Sequence, residues 1–160
     1  MQEDYLRALL FGLQDGIVST TGVVVGISAG VSDKAIIILA ALVAVSVEAS
    51  SMAAGQYTSE KAVHQMDREG KHTDSLVVGA VIMFLAYLVG GSFSIIPTIL
   101  IDQPLARVVA VASSFAGLFG IGYLKGVLVE GKPLRSAIEL FIIGGFATVL
   151  GLIVGLVLKV

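Results

Sequence analysis

The sequence predicts an all-α integral membrane protein with five transmembrane helices. Of its 160 residues, 56% are hydrophobic and only 14% are charged. A soluble domain carries about 25% charged residues, so most of this surface cannot face water. Residues 16–32, 75–101, 108–124 and 140–158 contain no Asp, Glu, Lys or Arg, and 35–57 is interrupted by Glu48 alone. About 20 apolar residues of helix cross a bilayer core, and each run is near or above that length. In lipid only helices and closed barrels satisfy every backbone group, and these runs lack the two-residue alternation of barrel strands.

Taken in order, the expected helices are 6–31, 35–58, 76–101, 106–130 and 136–158, forming a single transmembrane domain. The acidic start, with Glu3 and Asp4, lacks a basic segment and a small-residue cleavage motif, so no removable signal peptide is expected. Gly30-Val31-Ser32-Asp33 reads as a turn in which Ser32 or Asp33 caps the second helix. The longest polar stretch, 59–75, reads as a short cytoplasmic loop before the third helix. Asp102-Gln103-Pro104 ends the third span, and Gly131-Lys132-Pro133 separates the last two.

Basic residues set the expected orientation. With the N-terminus in the cytoplasm, Arg7, Lys61, Arg68, Lys71, Lys125, Lys132 and Arg135 lie inside, against Lys34, Arg107 and Lys159 outside. That bias favours the N-terminus in and the C-terminus out, in the plasma (inner) membrane. The chain has no cysteine, hence no disulfide or thiolate metal site. No basic stripe suggests nucleic acid, and no Ser/His/Asp or P-loop arrangement supports an enzyme.

Small residues recur at four-residue spacing: Gly12 and Gly16, then Gly22, Gly26 and Gly30, and later Gly151 and Gly155. Such spacing allows close helix contact, so the first helix is expected in a crowded central or intersubunit position. Five spans are few for enclosing a polar pathway. A homodimer through the first helix is therefore expected.

Charged groups within the spans are costly and usually functional. Asp15 and Glu48 each lie about nine residues from the cytoplasmic end of their helices, roughly 14 Å deep at 1.5 Å per residue. Two carboxylates at one depth can hold a divalent cation or share a proton. Met52, four residues after Glu48, shares its helix face. A thioether beside carboxylates tilts preference toward a transition metal, although Met also serves as packing. Glu60, His64 and Asp67 would share a face if the second helix continued, as a metal-collecting surface or as a solvated connector.

The segment FGLQDGIVSTTGVVVGISAG, Phe11 to Gly30, resembles the first transmembrane segment of the vacuolar iron transporter family. SVEASSMAAGQYTSEKA, Ser46 to Ala62, is similar to its second. Pro97 and the stretch from Pro133 to Gly155 fit the third and fifth segments less specifically. The resemblance implies a five-helix dimer with a metal path at its interface, exporting Fe²⁺ and often Mn²⁺ from the cytosol in exchange for protons. It matches Asp15 to the family's intramembrane Asp and Met52 to its second-helix Met, with Glu48 as the acidic residue beside it. The Glu-rich cytoplasmic domain usual between the second and third helices is replaced here by a short polar stretch, so that cytosolic metal capture by such a domain is absent or reduced to Glu60, His64 and Asp67. The expected function is divalent-metal transport, with protons as the exchanged ion, Fe²⁺ or Mn²⁺ as substrate, and no cofactor. The competing class is a non-transporting membrane metal sensor or scaffold.

Overall fold

The structure, a computed structural model, describes residues 3–67 and 75–158. It consists of five long helices: α1 (Glu3–Gly30), α2 (Lys34–Met66), α3 (Leu76–Leu100), α4 (Leu105–Lys125) and α5 (Pro133–Val157). All five are long and apolar enough to cross a membrane. Large apolar side chains such as Leu39, Val47, Leu85, Val89, Ile142 and Phe146 point outward from the bundle. That outside-in distribution suits lipid as the solvent.

The helix ends follow from local chemistry. Asp33, not Ser32, caps α2: its Oδ1 accepts from the backbone N–H of Ala35 at 2.8 Å and of Ile36 at 3.3 Å. Ser75 caps α3 by accepting from the Val78 N–H, while its own N–H donates to the Tyr5 hydroxyl at 2.8 Å. α4 loosens into a π-helical turn, Gly126–Glu130, that Gly131 ends with φ 64°. This is a left-handed conformation that suits glycine. At the opposite end of the bundle the Lys34 ammonium meets Asp102 at 2.7 Å, tying the α1–α2 turn to the α3–α4 turn.

One expected boundary changes. α2 runs to Met66, so residues 59–66 of the expected loop 59–75 are helix, and 68–74 lie outside the described residues. The extension has a physical basis: no Gly or Pro interrupts 56–68. Its inner face is also buried, with Glu60 packed against α1.

α1 is the axle of the bundle. It packs against all four other helices, most extensively α3 and α5. A Cβ on Gly12 would stand 2.8 Å from the Met83 carbonyl oxygen, and one on Gly26 would stand 2.8 Å from that of Gly151. The glycine faces that raised the intersubunit expectation are therefore packed against α3 and α5 of the same chain, giving α1 its central position.

Candidate metal site

Close backbone contact sets the geometry of the site. Gly16 lies against the backbone of Tyr87 on α3, and Gly90 lies against that of Leu13 and Ile17 on α1. With these backbones nearly touching, the Tyr87 ring is buried, and its hydroxyl donates to the Glu48 carboxylate of α2. On α1, Ser19 donates to Asp15 Oδ1 at 3.2 Å, one turn back along the same helix. Ser19 also stands within polar reach of the Tyr87 hydroxyl. Three helices thus bring Asp15, Ser19, Glu48 and Tyr87 into one polar cluster.

The two carboxylates that the sequence placed at one depth are neighbours. Asp15 and Glu48 lie close enough to feel each other's charge, and both are half-buried. No Lys or Arg is paired with either one among the described residues. Like charges held together without a cation favour either a bound metal or retained protons. Met52 is half-buried and packs against the cluster that contains Val45, Ala49 and Tyr87, one turn along α2 from Glu48.

Two grooves flank this cluster along the open side of α1. One, of about 650 Å³, runs between α1 and α5 and is lined by Ser19, Gly22 and Glu48 together with apolar side chains. The other, of about 700 Å³, lies at the amino-terminal end between α1 and the end of α4. Its lining includes Glu3, Arg7, Gln14 and Lys125. Along α1, Asp15 falls between Gln14, which lines the second groove, and Val18, which lines the first.

The residues read as a metal-collecting surface have a different placement. Glu60 is 5% exposed, ion-paired with Arg7, and accepts from Gln56 Nε2 at 3.3 Å. His64 follows on the same face, and Asp67 is the C-terminal cap of α2. Among the described residues no three His, Asp or Glu side chains gather to hold a metal. The carboxylate of Glu60 is engaged by Arg7.

Tyr87 is the site residue that sequence reasoning missed. A neutral tyrosine in a charge-free span carries no conspicuous energetic penalty, so it did not stand out. The available signal was depth, since Tyr87 lies about as far into α3 as Asp15 lies into α1.

Comparison with known proteins points to one family. The sequence pattern of the VIT family matches residues 6–76 and 63–156. The chain is 28% identical over 155 residues to vacuolar iron transporter homolog 4 of Arabidopsis thaliana, covering 89% of this chain and 78% of that protein. It is 29% identical over 164 residues to vacuolar iron transporter homolog 2 of Oryza sativa subsp. japonica, covering 91% and 86%. A shorter match, 42% identical over 65 residues, relates 40% of the chain to 26% of vacuolar iron transporter 1 of Arabidopsis thaliana. With five membrane-length helices and a pattern match along nearly its whole length, the chain belongs to the VIT family.

Proposed function

We propose that this protein carries a divalent transition metal, Fe²⁺ with Mn²⁺ as a second substrate, out of the cytosol in exchange for protons. The observation that carries the proposal is the pairing of Asp15 with Glu48 deep within the spans, without a basic partner. Two carboxylates neutralise a dehydrated divalent ion, and two protons replace its charge when it leaves. Relatives named as vacuolar iron transporters support iron as the cargo.

In the proposed cycle, with the N-terminus in the cytosol, metal reaches Asp15 past Glu3 and Gln14 in the amino-terminal groove. Asp15 and Glu48 hold it, and the Met52 sulfur biases the choice toward Fe²⁺. Tyr87 keeps the Glu48 carboxylate oriented through its hydrogen bond. Among the described residues Asp15 and Glu48 are the acids paired deep within the spans, which favours a homodimer across the open side of α1, with the acids of both copies along one path.

Purified protein in sealed vesicles, loaded with a pH dye and given Fe²⁺ without oxygen, tests the reading. Fe²⁺ should move across the membrane while protons move the other way. Tight Fe²⁺ binding without flux would overturn it in favour of a membrane metal sensor or scaffold.

A further inference from the structure

Ser19, Thr20, Thr21, Ser50 and Ser51 all follow one of the two acids closely in sequence, yet the fold turns only one of their hydroxyls toward the site. Thr21 donates to the Ser114 hydroxyl at 2.7 Å. Thr20 is fully buried against α3, where a Cβ on Gly91 would come within 2.9 Å of its hydroxyl. Ser50 donates to the Ser46 carbonyl at 2.8 Å, and it lies with Ser51 on the exposed side of α2. Ser19 is different. It donates to Asp15 Oδ1 at 3.2 Å, and it lines the groove between α1 and α5 together with Glu48.

The direction of the helices gives this hydroxyl a distinct place. α1 and α2 are antiparallel, so Ser19 lies one turn from Asp15 toward the α1–α2 turn, whereas Met52 lies one turn from Glu48 toward the opposite end. The side chains are thus staggered along the bundle, with the thioether first, then the two carboxylates, then the hydroxyl. Among the described residues, the groove that begins there is otherwise lined by glycine, alanine and aliphatic side chains. An ion entering it would meet Ser19 as its last neutral side-chain oxygen. We propose that the Ser19 hydroxyl is a direct ligand of the transported metal, on the side from which the metal is released. The proposal rests on the metal-site reading above.

A hydroxyl carries one donor and two acceptor lone pairs. Donation to Asp15 Oδ1 holds Ser19 in place and leaves its lone pairs, with Asp15 Oδ2, for the ion. No proton has to leave Ser19 for it to bind. An uncharged ligand also suits a release step: the two carboxylates already balance a divalent charge, and a third anion would raise the affinity further. Oxygen is a harder ligand than the Met52 sulfur. An ion that shifts from Met52 toward Ser19 loses its soft contact, so the hold on Fe²⁺ weakens in the direction of exit.

Because the chain has no cysteine, Ser19→Cys places the protein's only thiol at the proposed ligand position. Full-length protein in detergent would be titrated with Co²⁺, whose bond to a thiolate gives a near-ultraviolet charge-transfer band that oxygen ligands do not give. Binding would be followed in parallel by equilibrium dialysis. Ser19→Cys should develop the band in step with Co²⁺ binding, and adding Asp15→Asn should remove most of it at the same Co²⁺ concentration. Ser50→Cys, on the exposed side of α2, should bind Co²⁺ like wild type and show no band. Ser19→Ala should weaken Co²⁺ binding about tenfold, the scale of one lost polar contact, and unchanged affinity would count against the proposal. Co²⁺ binding by Ser19→Cys without a band would overturn Ser19 as a ligand and leave the metal site standing, since a residue that only steadied Asp15 would give no band. A band that persists unchanged with Asp15→Asn would also overturn it, because the thiol would then bind Co²⁺ apart from the site. Wild-type protein that shows no saturable Co²⁺ binding would overturn the metal-site reading together with the role of Ser19.

Discussion

Glu48 and Glu60 are carried by the same helix, yet their surroundings give them opposite roles. Glu60 is almost fully buried and meets the Arg7 guanidinium and the Gln56 amide, so its charge is neutralised within the fold. Glu48 is less buried, meets the Tyr87 hydroxyl, and has another acid, Asp15, as its charged neighbour among the described residues. Burial alone would rank Glu60 as the stronger candidate. The counter-charge decides otherwise: a carboxylate already satisfied by the protein anchors helices, and one left unsatisfied is available to an ion.

Amide substitutions are the most direct way to break this contrast. Asp15→Asn and Glu48→Gln keep shape and hydrogen bonding but remove the charge, so each should nearly abolish Fe²⁺ flux in vesicles. Thermal unfolding in detergent should show no loss of stability, since each substitution also relieves a like-charge contact. Wild-type flux in both variants would reduce the pair to buried structural groups. Glu60→Gln should behave in the reverse sense, costing about 1–3 kcal/mol of stability as a charge-assisted bond becomes a neutral one. Its flux per folded molecule should stay near wild type, and a complete loss would erase the distinction between the two glutamates.

Met52→Leu sharpens the picture at the site itself. The swap nearly conserves volume, so stability should change by less than about 1.5 kcal/mol. Binding titrations should show Fe²⁺ weakened relative to Mg²⁺, and an unchanged ratio would assign Met52 to packing. The smallest effect is expected at Lys34–Asp102, which is exposed. Hydrogen bonding to Lys34 and its positive charge hold the Asp102 carboxyl below its ordinary range. A depressed value in the folded state means the pair stabilises above the unfolded carboxyl's range, near pH 4, and that this is lost as pH falls through the folded value. Unfolding curves of Lys34→Ala and wild type should therefore differ slightly at neutral pH and converge in acid.

The spans were legible in the sequence because a charge-free run of membrane length has few alternative explanations. The pairing of Asp15 with Glu48 was legible for a related reason: a charge inside such a run is conspicuous, and depth follows from counting residues. Tyr87 was not legible, since a neutral polar residue leaves no such mark and its importance lies in what faces it. The burial of Glu60 was not legible because its partner, Arg7, is distant in sequence and nearer cations in the same polar stretch offered themselves as well. The choice of Asp33 over Ser32 as cap depended on backbone geometry that residue type does not specify.

The glycine contacts of α1 also bear on how forgiving the site is. Backbone against backbone, α1 is clamped to α3 and α5, and it meets α2 over a smaller surface. Asp15, on a short side chain fixed to the clamped helix, is the stiff arm of the pair. Glu48, on a longer side chain and a less tightly held helix, is the compliant one. In the proposed metal site a stiff arm would fix where the ion sits, while a compliant arm would follow its radius. The pair should thus grade ions of similar size by degrees instead of accepting one and rejecting the next.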